Sequence, residues 1–482
     1  MQTAFDLVII GSGPAGRRAA IQAAKLDKSV LVIEKFPRVG GVSVHSGTIP
    51  SKTLRETVLN LSGWRERGFY GRTYKVKNDI TAADLKHRLG QTLNHEVDVL
   101  EHQFCRNGVA MARGHARFTG RHTLEVTQPN GACQAYEFKT ALISVGTKPY
   151  RPEAIPFDGK RVLDSDEILN IEELPRSLTV IGAGVIGIEY ATIFSALDIS
   201  VTVIEPRAHI LSFIDDELIA EFTHELRDRG MKLRLGCRAE RVSIQDGSCF
   251  VDLSDGRRVK SEMVLYAAGR VGASKDLGLD ALGLSADSRG RLKVNPETFE
   301  TEVPGIYAAG DIIGFPSLAS TSMEQGRIAI CHALDLPNPP TPEHFPYGIY
   351  AVPEISTIGL SERELREKRI PYECGVARFR ETSRGHIMGL QRGMLKMLFH
   401  LETQELLGVH IVGEGATELI HIGQAVLLHQ GKLKYFIDNV FNYPTLAEAY
   451  KIAALDAWNR ISLHDAKPEQ VPEDTPLSVV NG

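Results

Sequence analysis

The chain has 482 residues, enough for about three domains of ordinary size, and its 43% hydrophobic content excludes a fibrous or largely disordered protein. The formal net charge is only −5 and the lysines and arginines are scattered, which argues against binding to nucleic acid or to an anionic membrane. The six cysteines lack the spacing of a metal or redox pair, so we expect buried free thiols and no metal site.

The first predicted elements are a strand, a glycine turn, a helix and a second strand. The N-terminus passes almost directly into the strand at residues 6–10, without a basic segment, a long apolar run or a cleavage site, so we expect a cytoplasmic protein. The second strand ends at Glu34, and the turn reads Gly11-Ser12-Gly13-Pro14-Ala15-Gly16. In a dinucleotide-binding unit Gly11 permits the tight turn, Gly13 admits a pyrophosphate, and Gly16 lets the helix pack on the strand.

The same order of elements occurs a second time. A strand at residues 178–181 precedes Gly182-Ala183-Gly184-Val185-Ile186-Gly187, a helix follows to residue 196, and the next strand ends at Glu205. In both units the acid follows the first glycine by 23 positions, near the spacing of a carboxylate that accepts the ribose hydroxyls. The sequence therefore predicts two dinucleotide sites. Because a flavin accepts hydride from a nicotinamide, a held FAD with an exchanging NAD(H) or NADP(H) is the economical pairing.

Two later segments end in small residues where backbone approaches a ligand closely. Residues 263–270 end at Gly269-Arg270, and residues 305–311 end at Gly310-Asp311. For the first segment, a plain strand end is an equally good interpretation.

The linkers and periodicities predict an α/β protein with three domains. The first nucleotide domain covers residues 1–150 and 293–333, and the second covers 151–292. A proline-rich linker at residues 336–342 leads into an α+β domain, 341–462, with a hairpin at 395–400 and 406–412 and helices at 418–430 and 447–460. The acidic, proline-containing residues 463–482 are predicted to form a disordered tail.

Residues 40–52 resemble the active-site helix of the pyridine nucleotide-disulfide oxidoreductases. In that family two cysteines separated by four residues pass electrons from the flavin to a disulfide, but Ser43 and Thr48 stand at those positions. A hydroxyl cannot form a disulfide or a thiolate-flavin adduct. The family's C-terminal His-Pro pair and following Glu are replaced by Tyr443, Pro444 and Glu448, and a phenol is a poor base near neutrality.

What remains is similar to the soluble pyridine nucleotide transhydrogenases over residues 5–461. The matching segments include Gly47-Thr48-Ile49-Pro50-Ser51-Lys52 and Phe441-Asn442-Tyr443-Pro444-Thr445. This resemblance implies two Rossmann-like domains, the first for FAD and the second for NAD(P), followed by a dimerisation domain. It also implies hydride transfer from NADPH to NAD⁺ by a ping-pong route in a homodimer or higher homo-oligomer.

The resemblance implies the following site residues. FAD contacts are expected from Gly11, Gly13, Gly16, Glu34, Lys35, Gly41, Thr48, Lys52, Gly146, Gly310, Asp311 and Ala319. NAD(P) contacts are expected from Gly182, Gly184, Gly187, Glu205, Arg207 and Gly269. Lys52 paired with Glu189 is expected at the reacting edge of the flavin, and Tyr443 and Glu448 are expected to reach the partner subunit's site.

Other interpretations stay open on the sequence. One is an NADH-dependent reductase, similar to dihydrolipoamide dehydrogenase, whose acceptor is not a disulfide but, for example, a quinone. Another is a flavin-loaded redox sensor, against which Lys52 and Glu189 argue. Glu205 favours NAD(H) because it would repel a 2′-phosphate, and Arg207 is the candidate residue to compensate for it.

Overall fold

A computed structural model of the chain describes residues 2–337 and 344–465. Part of the predicted linker and residues 466–482 of the predicted tail lie outside the described residues. The α-helices are α1 Pro14–Ala24, α2 Gly41–His45, α3 Thr48–Leu61, α4 Arg67–Tyr70, α5 Ala82–Arg106, α6 Val185–Ala196, α7 Asp216–Asp228, α8 Ala319–Ala333, α9 Glu362–Lys368, α10 Ser383–Ile387, α11 Ala416–Leu428, α12 Leu433–Asp438 and α13 Glu448–Asp465. Within the described ranges none of these helices combines the length and the apolar character that crossing a membrane requires.

The strands form five sheets. They are β1 Ala4–Ile10, β2 Val30–Glu34, β3 Ala110–Arg113, β4 His115–Gly120, β5 Thr123–Thr127, β6 Cys133–Ile143, β7 Thr147–Pro149, β8 Val162–Asp164, β9 Ser177–Ile181, β10 Ser200–Glu205, β11 Lys232–Leu235, β12 Ala239–Gln245, β13 Ser248–Leu253, β14 Arg258–Ser261, β15 Met263–Tyr266, β16 Arg270–Gly272, β17 Ile306–Ala308, β18 Tyr347–Ile349, β19 Ile355–Gly359, β20 Tyr372–Arg378, β21 Met394–His400 and β22 Leu406–Val412.

The first sheet has the order β3-β2-β1-β6-β5-β4, and β17 also pairs with β6. Strands β1, β2, β3, β6 and β17 pair with one another in parallel, whereas β5 pairs in antiparallel orientation with both β6 and β4. Leu7, Val8 and Ile9 are at most 4% exposed, because a parallel strand is covered on both faces and therefore consists of a continuous apolar run. The turn that follows β1 opens at the carboxyl edge of this sheet, where doubly wound folds bind their ligands.

The second sheet repeats this arrangement in the order β11-β10-β9-β15-β8, with all of its pairs parallel. A separate antiparallel sheet, β12-β13-β14, follows in the same part of the chain. The short strands β7 and β16 pair with each other, so that Thr147 lies opposite Gly272 where the chain leaves and re-enters the first domain.

The packing differs from the predicted boundaries in two places. Leu277, Leu284 and Leu292 lie in the core that covers the first sheet, although they fall within the segment 151–292 predicted for the second domain. These leucines bury their side chains against Phe118 and its neighbours on the antiparallel strands, a long-range contact that local sequence does not encode. Residues 212–222 cluster with the C-terminal unit, which otherwise comprises residues 344–349 and 353–465 of the described chain.

The C-terminal unit is an antiparallel sheet, β18-β19-β22-β21-β20, covered by α11 and α13. Its core includes Phe436 stacked on Tyr450, with ring centroids 5.5 Å apart. The last helix runs to Asp465 and thus enters the segment 463–482 that was predicted to be a disordered tail.

A buried lysine joins three carboxylates inside this unit. The Lys396 ammonium is fully buried, 3.0 Å from Asp215 and 2.9 Å from Glu217, and it also contacts Glu362. The three carboxylates lie close enough together to hold a cation, and here they surround the ammonium group. Removing that ammonium would leave buried carboxylate charge without compensation.

The expectation of buried thiols is wrong for two of the six cysteines. Cys105 and Cys133 are exposed, whereas Cys237, Cys249 and Cys331 are buried and Cys374 is intermediate. Cys105 lies in the last turn of α5, and Cys133 is the first residue of β6 after a turn, so both stand at element ends that face solvent. All six are free thiols.

Candidate active site

The first glycine turn has the geometry of a phosphate-binding turn. Gly11 has a φ of +103°, and a Cβ atom there would lie 2.4 Å from the carbonyl oxygen of Ser144. A Cβ at Gly16 would lie 2.0 Å from the carbonyl oxygen of Gly11, so α1 can pack this closely only with glycine. A Cβ at Gly13 would meet nothing within 4 Å, which leaves open space beside the N-terminus of α1.

This turn borders a cavity of about 840 Å³. Most of the residues predicted to contact FAD line it: Gly11, Gly13, Glu34, Lys35, Gly41, Thr48, Gly146, Gly310, Asp311 and Ala319. Gly16 and Lys52 are not among its lining residues. The volume, the open face of Gly13 and the helix N-terminus fit a long diphosphate ligand such as FAD.

Glu34 closes one side of the cavity and is 7% exposed. Its Oε2 accepts hydrogen bonds from the amide and the hydroxyl of Ser12, at 3.1 and 2.6 Å, and its Oε1 accepts one from the amide of Phe36 at 3.0 Å. The Ser12 hydroxyl also accepts from the amide of Gly40 at 2.9 Å. Sequence reasoning missed Ser12, although it stands inside the glycine motif.

Hydroxyl side chains stand at the two positions where the resemblance predicts redox cysteines. Ser43 and Thr48 both line the cavity, and none of the described residues that line it is a cysteine. The Ser43 hydroxyl donates to the carbonyl oxygen of Gly40 at 3.0 Å, a hydrogen bond within the first turn of α2. Both hydroxyls lack the electron-relay chemistry of a thiol pair.

Lys52 and Glu189 form a close ion pair between α3 and α6. The Lys52 ammonium lies 2.9 and 2.8 Å from the two carboxylate oxygens of Glu189, whose side chain is 5% exposed. Glu189 also accepts the amide of Tyr350 at 2.9 Å, and the ammonium stands 4.7 Å from the centroid of the Tyr350 ring. This pair joins residues 137 positions apart and fixes the direction of the Lys52 side chain.

A chain of polar contacts connects Asp311 to Arg270. The Arg270 Nε donates to the hydroxyl of Thr147 at 2.9 Å, and that hydroxyl donates to Asp311 at 3.4 Å. A second guanidinium nitrogen donates to Asp166 at 2.9 Å. Burial raises the pKa of the Asp311 carboxyl, and the charge of Arg270 and the Thr147 hydrogen bond act in the opposite direction. The roles of Thr147 and Asp166 were not predicted; Arg270 was noted only as the residue after Gly269.

The second glycine turn repeats the first one closely. Gly182 has a φ of +106°, a Cβ at Gly187 would lie 2.0 Å from the carbonyl oxygen of Gly182, and a Cβ at Gly184 would meet nothing within 4 Å. Gly269 has a φ of +134° and likewise has open space at the position of a Cβ. These glycines leave the backbone accessible beside the N-terminus of α6, as a second phosphate site requires.

Glu205 and Arg207 form a pair at the end of β10. The Arg207 Nε lies 2.7 Å from Oε1 of Glu205, and Ala183 donates its amide to Oε2 at 2.7 Å. Burial acts to raise the pKa of Glu205, but the hydrogen bonds from Arg207 and the Ala183 amide outweigh it and hold that pKa below its ordinary value. The carboxylate is 3% exposed, whereas the Arg207 side chain is 54% exposed.

Tyr443 and Glu448 lie in the C-terminal unit. Tyr443 is 70% exposed, and its hydroxyl is 2.5 Å from that of Ser383. Glu448 is the first residue of α13, and its Oε2 is buried with no hydrogen-bond partner among the described residues. A buried carboxylate oxygen without a donor is costly unless another molecule supplies one.

Two family models match the chain. The model described as pyridine nucleotide-disulphide oxidoreductase matches residues 5–326, and the dimerisation domain of the same family matches residues 345–454. The chain belongs to the pyridine nucleotide-disulphide oxidoreductase family. The predicted resemblance and fold class are thereby confirmed, and FAD and a pyridine nucleotide are the groups on which this family works.

Relatives within the family carry a more specific name. Proteins named soluble pyridine nucleotide transhydrogenase are 48% identical in Mycobacterium tuberculosis over 463 residues and 41% identical in Colwellia psychrerythraea over 461 residues. Each alignment covers 95% of this chain and 98% of the relative. The crystal structure of LpdA from Mycobacterium tuberculosis superposes with a TM-score of 0.86 at 26% identity, covering 94% of this chain and 99% of LpdA. The flavoprotein disulfide reductase RclA from Escherichia coli, at 24% identity and a TM-score of 0.84, shares the fold.

Proposed function

We propose that this protein transfers hydride between NADPH and NAD⁺ with FAD as its resident cofactor. The observation that carries the proposal is the pairing of two matching glycine turns with a cavity that has Ser43 and Thr48 in place of redox cysteines. Without a thiol pair, electrons that arrive from one nicotinamide cannot leave through a redox disulfide, and the proposal assigns a second nicotinamide as their acceptor. The names of the relatives that are 41–48% identical support the same reaction.

The first unit is proposed to hold FAD, which supplies the hydride-accepting and hydride-donating chemistry. Gly13 and the N-terminus of α1 bind the pyrophosphate, because open space and free amides meet there. Glu34 retains an acceptor position on Oε1 for a ribose hydroxyl. Asp311, which accepts a hydrogen bond from Thr147, would accept hydrogen bonds from the polyol chain of the bound ligand.

Lys52 is proposed to act as a fixed positive charge near the reacting ring. Glu189 holds the Lys52 ammonium by two hydrogen bonds and lies almost completely buried, so the side chain cannot rotate freely. A preorganised cation favours the extra negative charge that a reduced ring system carries. Positioning and electrostatics therefore supply the catalysis, and no residue forms a covalent intermediate.

The second unit is proposed to bind the two nucleotides in turn. NADPH binds against Gly184, Gly187 and Gly269 and delivers hydride, NADP⁺ leaves, and NAD⁺ enters the same place. The alternation is a ping-pong cycle at one exchanging site.

The active protein is proposed to be a cytoplasmic homodimer. The match to a dimerisation domain supports the assembly, and the buried Oε2 of Glu448, which has no hydrogen-bond partner among the described residues, supports a contribution to the other subunit. Tyr443, which is largely exposed, is proposed to lie at the same interface.

The test is anaerobic mixing of the FAD-loaded protein with NADPH and then with NAD⁺, while the flavin absorbance is followed. Bleaching in the first step and recovery in the second are expected, with no long-wavelength thiolate-to-flavin band. Turnover of lipoamide or glutathione disulfide should stay at background. Bleaching by NADH together with recovery only on addition of a quinone would replace the proposal by the quinone reductase, and a persistent thiolate band would show that a cysteine takes part.

A further inference from the structure

The Glu205 carboxylate is saturated by hydrogen bonds in the free protein. Oε1 accepts the amide of Arg207 at 3.1 Å and its Nε at 2.7 Å, and Oε2 accepts the amide of Ala183 at 2.7 Å and the Arg207 Nη2 at 3.3 Å. An ionised carboxylate offers about four acceptor positions. All of them are used, so the ribose diol of a nucleotide finds no acceptor on Glu205 while Arg207 is in place.

The two partners differ in their freedom to move. Glu205 is 3% exposed and is tied to backbone amides, whereas the side chain of Arg207 is 54% exposed. Among the described residues, no group accepts a hydrogen bond from Nη1 of Arg207, so this nitrogen is available to an incoming anion. When a ligand binds here, the side chain of Arg207, and not that of Glu205, is therefore the one that changes conformation.

NAD(H) and NADP(H) place opposite demands on this pair. The diol of NAD(H) needs the acceptors that Arg207 occupies, so binding requires the arginine to be displaced. The 2′-phosphate of NADP(H) adds about −1.5 to −2 charges, which Glu205 repels and a guanidinium binds bidentately.

We infer that the Glu205–Arg207 pair is a latch that reduces the difference between the affinities of this site for NAD(H) and for NADP(H). The need to displace Arg207 weakens the binding of NAD(H). The contact of Arg207 with the 2′-phosphate strengthens the binding of NADP(H). This inference rests on the proposed function, since a single site that exchanges both nucleotides must not retain either one too strongly.

The first unit shows what this position looks like without a latch. Glu34 accepts three donors, two amides and the neutral hydroxyl of Ser12, and none of the cationic side chains that the structure describes pairs with it. One acceptor position stays open for a ribose hydroxyl of a ligand that does not exchange.

The inference is tested by calorimetric titration of the FAD-loaded protein with ADP-ribose and with 2′-phospho-ADP-ribose, neither of which can transfer hydride. Arg207→Met should weaken the binding of 2′-phospho-ADP-ribose about tenfold or more, because a charge-assisted pair is lost. The same variant should bind ADP-ribose severalfold more tightly. Glu205→Gln should tighten 2′-phospho-ADP-ribose. Arg257→Met is the matched control, because Arg257 pairs with Asp255 two residues earlier, through the same amide and Nε contacts, outside the glycine motif.

The latch is supported if Arg207→Met changes the affinities for the two probes in opposite directions. Equal weakening of both affinities, or an unchanged ratio between them, overturns it. If Arg207→Met does not fold, Glu205→Gln decides: an unchanged ratio of affinities overturns the inference. Opposite signs in a protein that transfers no hydride would refute the proposed function alone. Hydride transfer with equal weakening would refute the latch alone.

Discussion

The two glycine turns have the same backbone geometry. The carboxylates that follow them, Glu34 and Glu205, differ in their side-chain hydrogen-bond partners. The first glycines have φ values of +103° and +106°, and a Cβ on either last glycine would approach a carbonyl oxygen to 2.0 Å. Glu34 and Glu205 each accept the amide of the residue after the first glycine, and each also accepts the amide of the residue two positions after the glutamate itself. The shared part explains why each unit provides a place for a dinucleotide.

The units differ in enclosure and in charge. The first turn borders a cavity of about 840 Å³, to which Gly310, Asp311 and Ala319 also contribute, whereas no residue of the second turn lines that cavity. Glu34 accepts its remaining hydrogen bond from a neutral hydroxyl, and Glu205 accepts its own from a half-exposed guanidinium. On the proposed function, the backbone fixes where a dinucleotide lies, and the surrounding side chains decide whether it is retained or exchanged.

The same small substitution in each turn should separate the two tasks. Gly13→Ala and Gly184→Ala meet no protein atom within 4 Å, so both variants should fold. Each added methyl group occupies the space of a pyrophosphate, and a loss of about 3 kcal/mol corresponds to about a hundredfold in affinity. Gly13→Ala should purify without FAD, and Gly184→Ala should keep FAD but resist reduction by NADPH. Absorbance spectra and stopped-flow reduction measure both; loss of FAD from Gly184→Ala would contradict the division of tasks.

The Lys52 charge should affect the rate at which NADPH reduces FAD, but not the affinity for FAD. Lys52→Met should leave FAD bound and slow its reduction by NADPH about tenfold, the effect of ~1.4 kcal/mol in the barrier. Lys75→Met, which breaks the exposed contact of Lys75 with Asp198, is the control. An unchanged rate in stopped flow would remove Lys52 from the mechanism.

The Thr147 hydroxyl should contribute to FAD binding by the first unit and not to nucleotide binding by the second unit. Thr147→Val removes the group that joins Arg270 to Asp311, and one lost hydrogen bond of about 1 kcal/mol should weaken FAD severalfold. Thr147→Ser keeps the hydroxyl and should bind FAD normally. Fluorescence titration of FAD into the stripped protein measures the difference. A loss in Thr147→Ser as large as that in Thr147→Val would contradict the assignment of the effect to the hydroxyl.

The smallest expected effect is the pH dependence that Glu205 gives to stability. Its pKa is lowered in the folded chain, so its contribution is present above the unfolded value of about 4.3 and is lost as the pH falls through the lowered folded value. Glu205→Gln should lower stability at pH 7 by less than about 1 kcal/mol, since Arg207 is half exposed, and this deficit should vanish in acid. Urea unfolding at both pH values measures it; a deficit that persists in acid would have another cause.

The sequence predicts the two turns well because their glycine spacing is dictated by local backbone geometry. The Lys52–Glu189 pair spans 137 positions and could be expected only from the family resemblance. Arg207 was expected to offset Glu205, but the saturation of the carboxylate depends on the Ala183 amide and on side-chain rotamers. The Arg270–Thr147–Asp311 chain and the burial of Lys396 among three acids depend on tertiary packing, which no local pattern encodes.

The central claim is that one unit holds FAD while the other exchanges NADPH and NAD⁺ in turn. Initial rates of hydride transfer, measured over a grid of NADPH and NAD⁺ concentrations, test it most directly. A single exchanging site predicts parallel lines in double-reciprocal plots, because the first product leaves before the second nucleotide binds. Lines that intersect to the left of the axis would show that both nucleotides are bound together and would contradict the account.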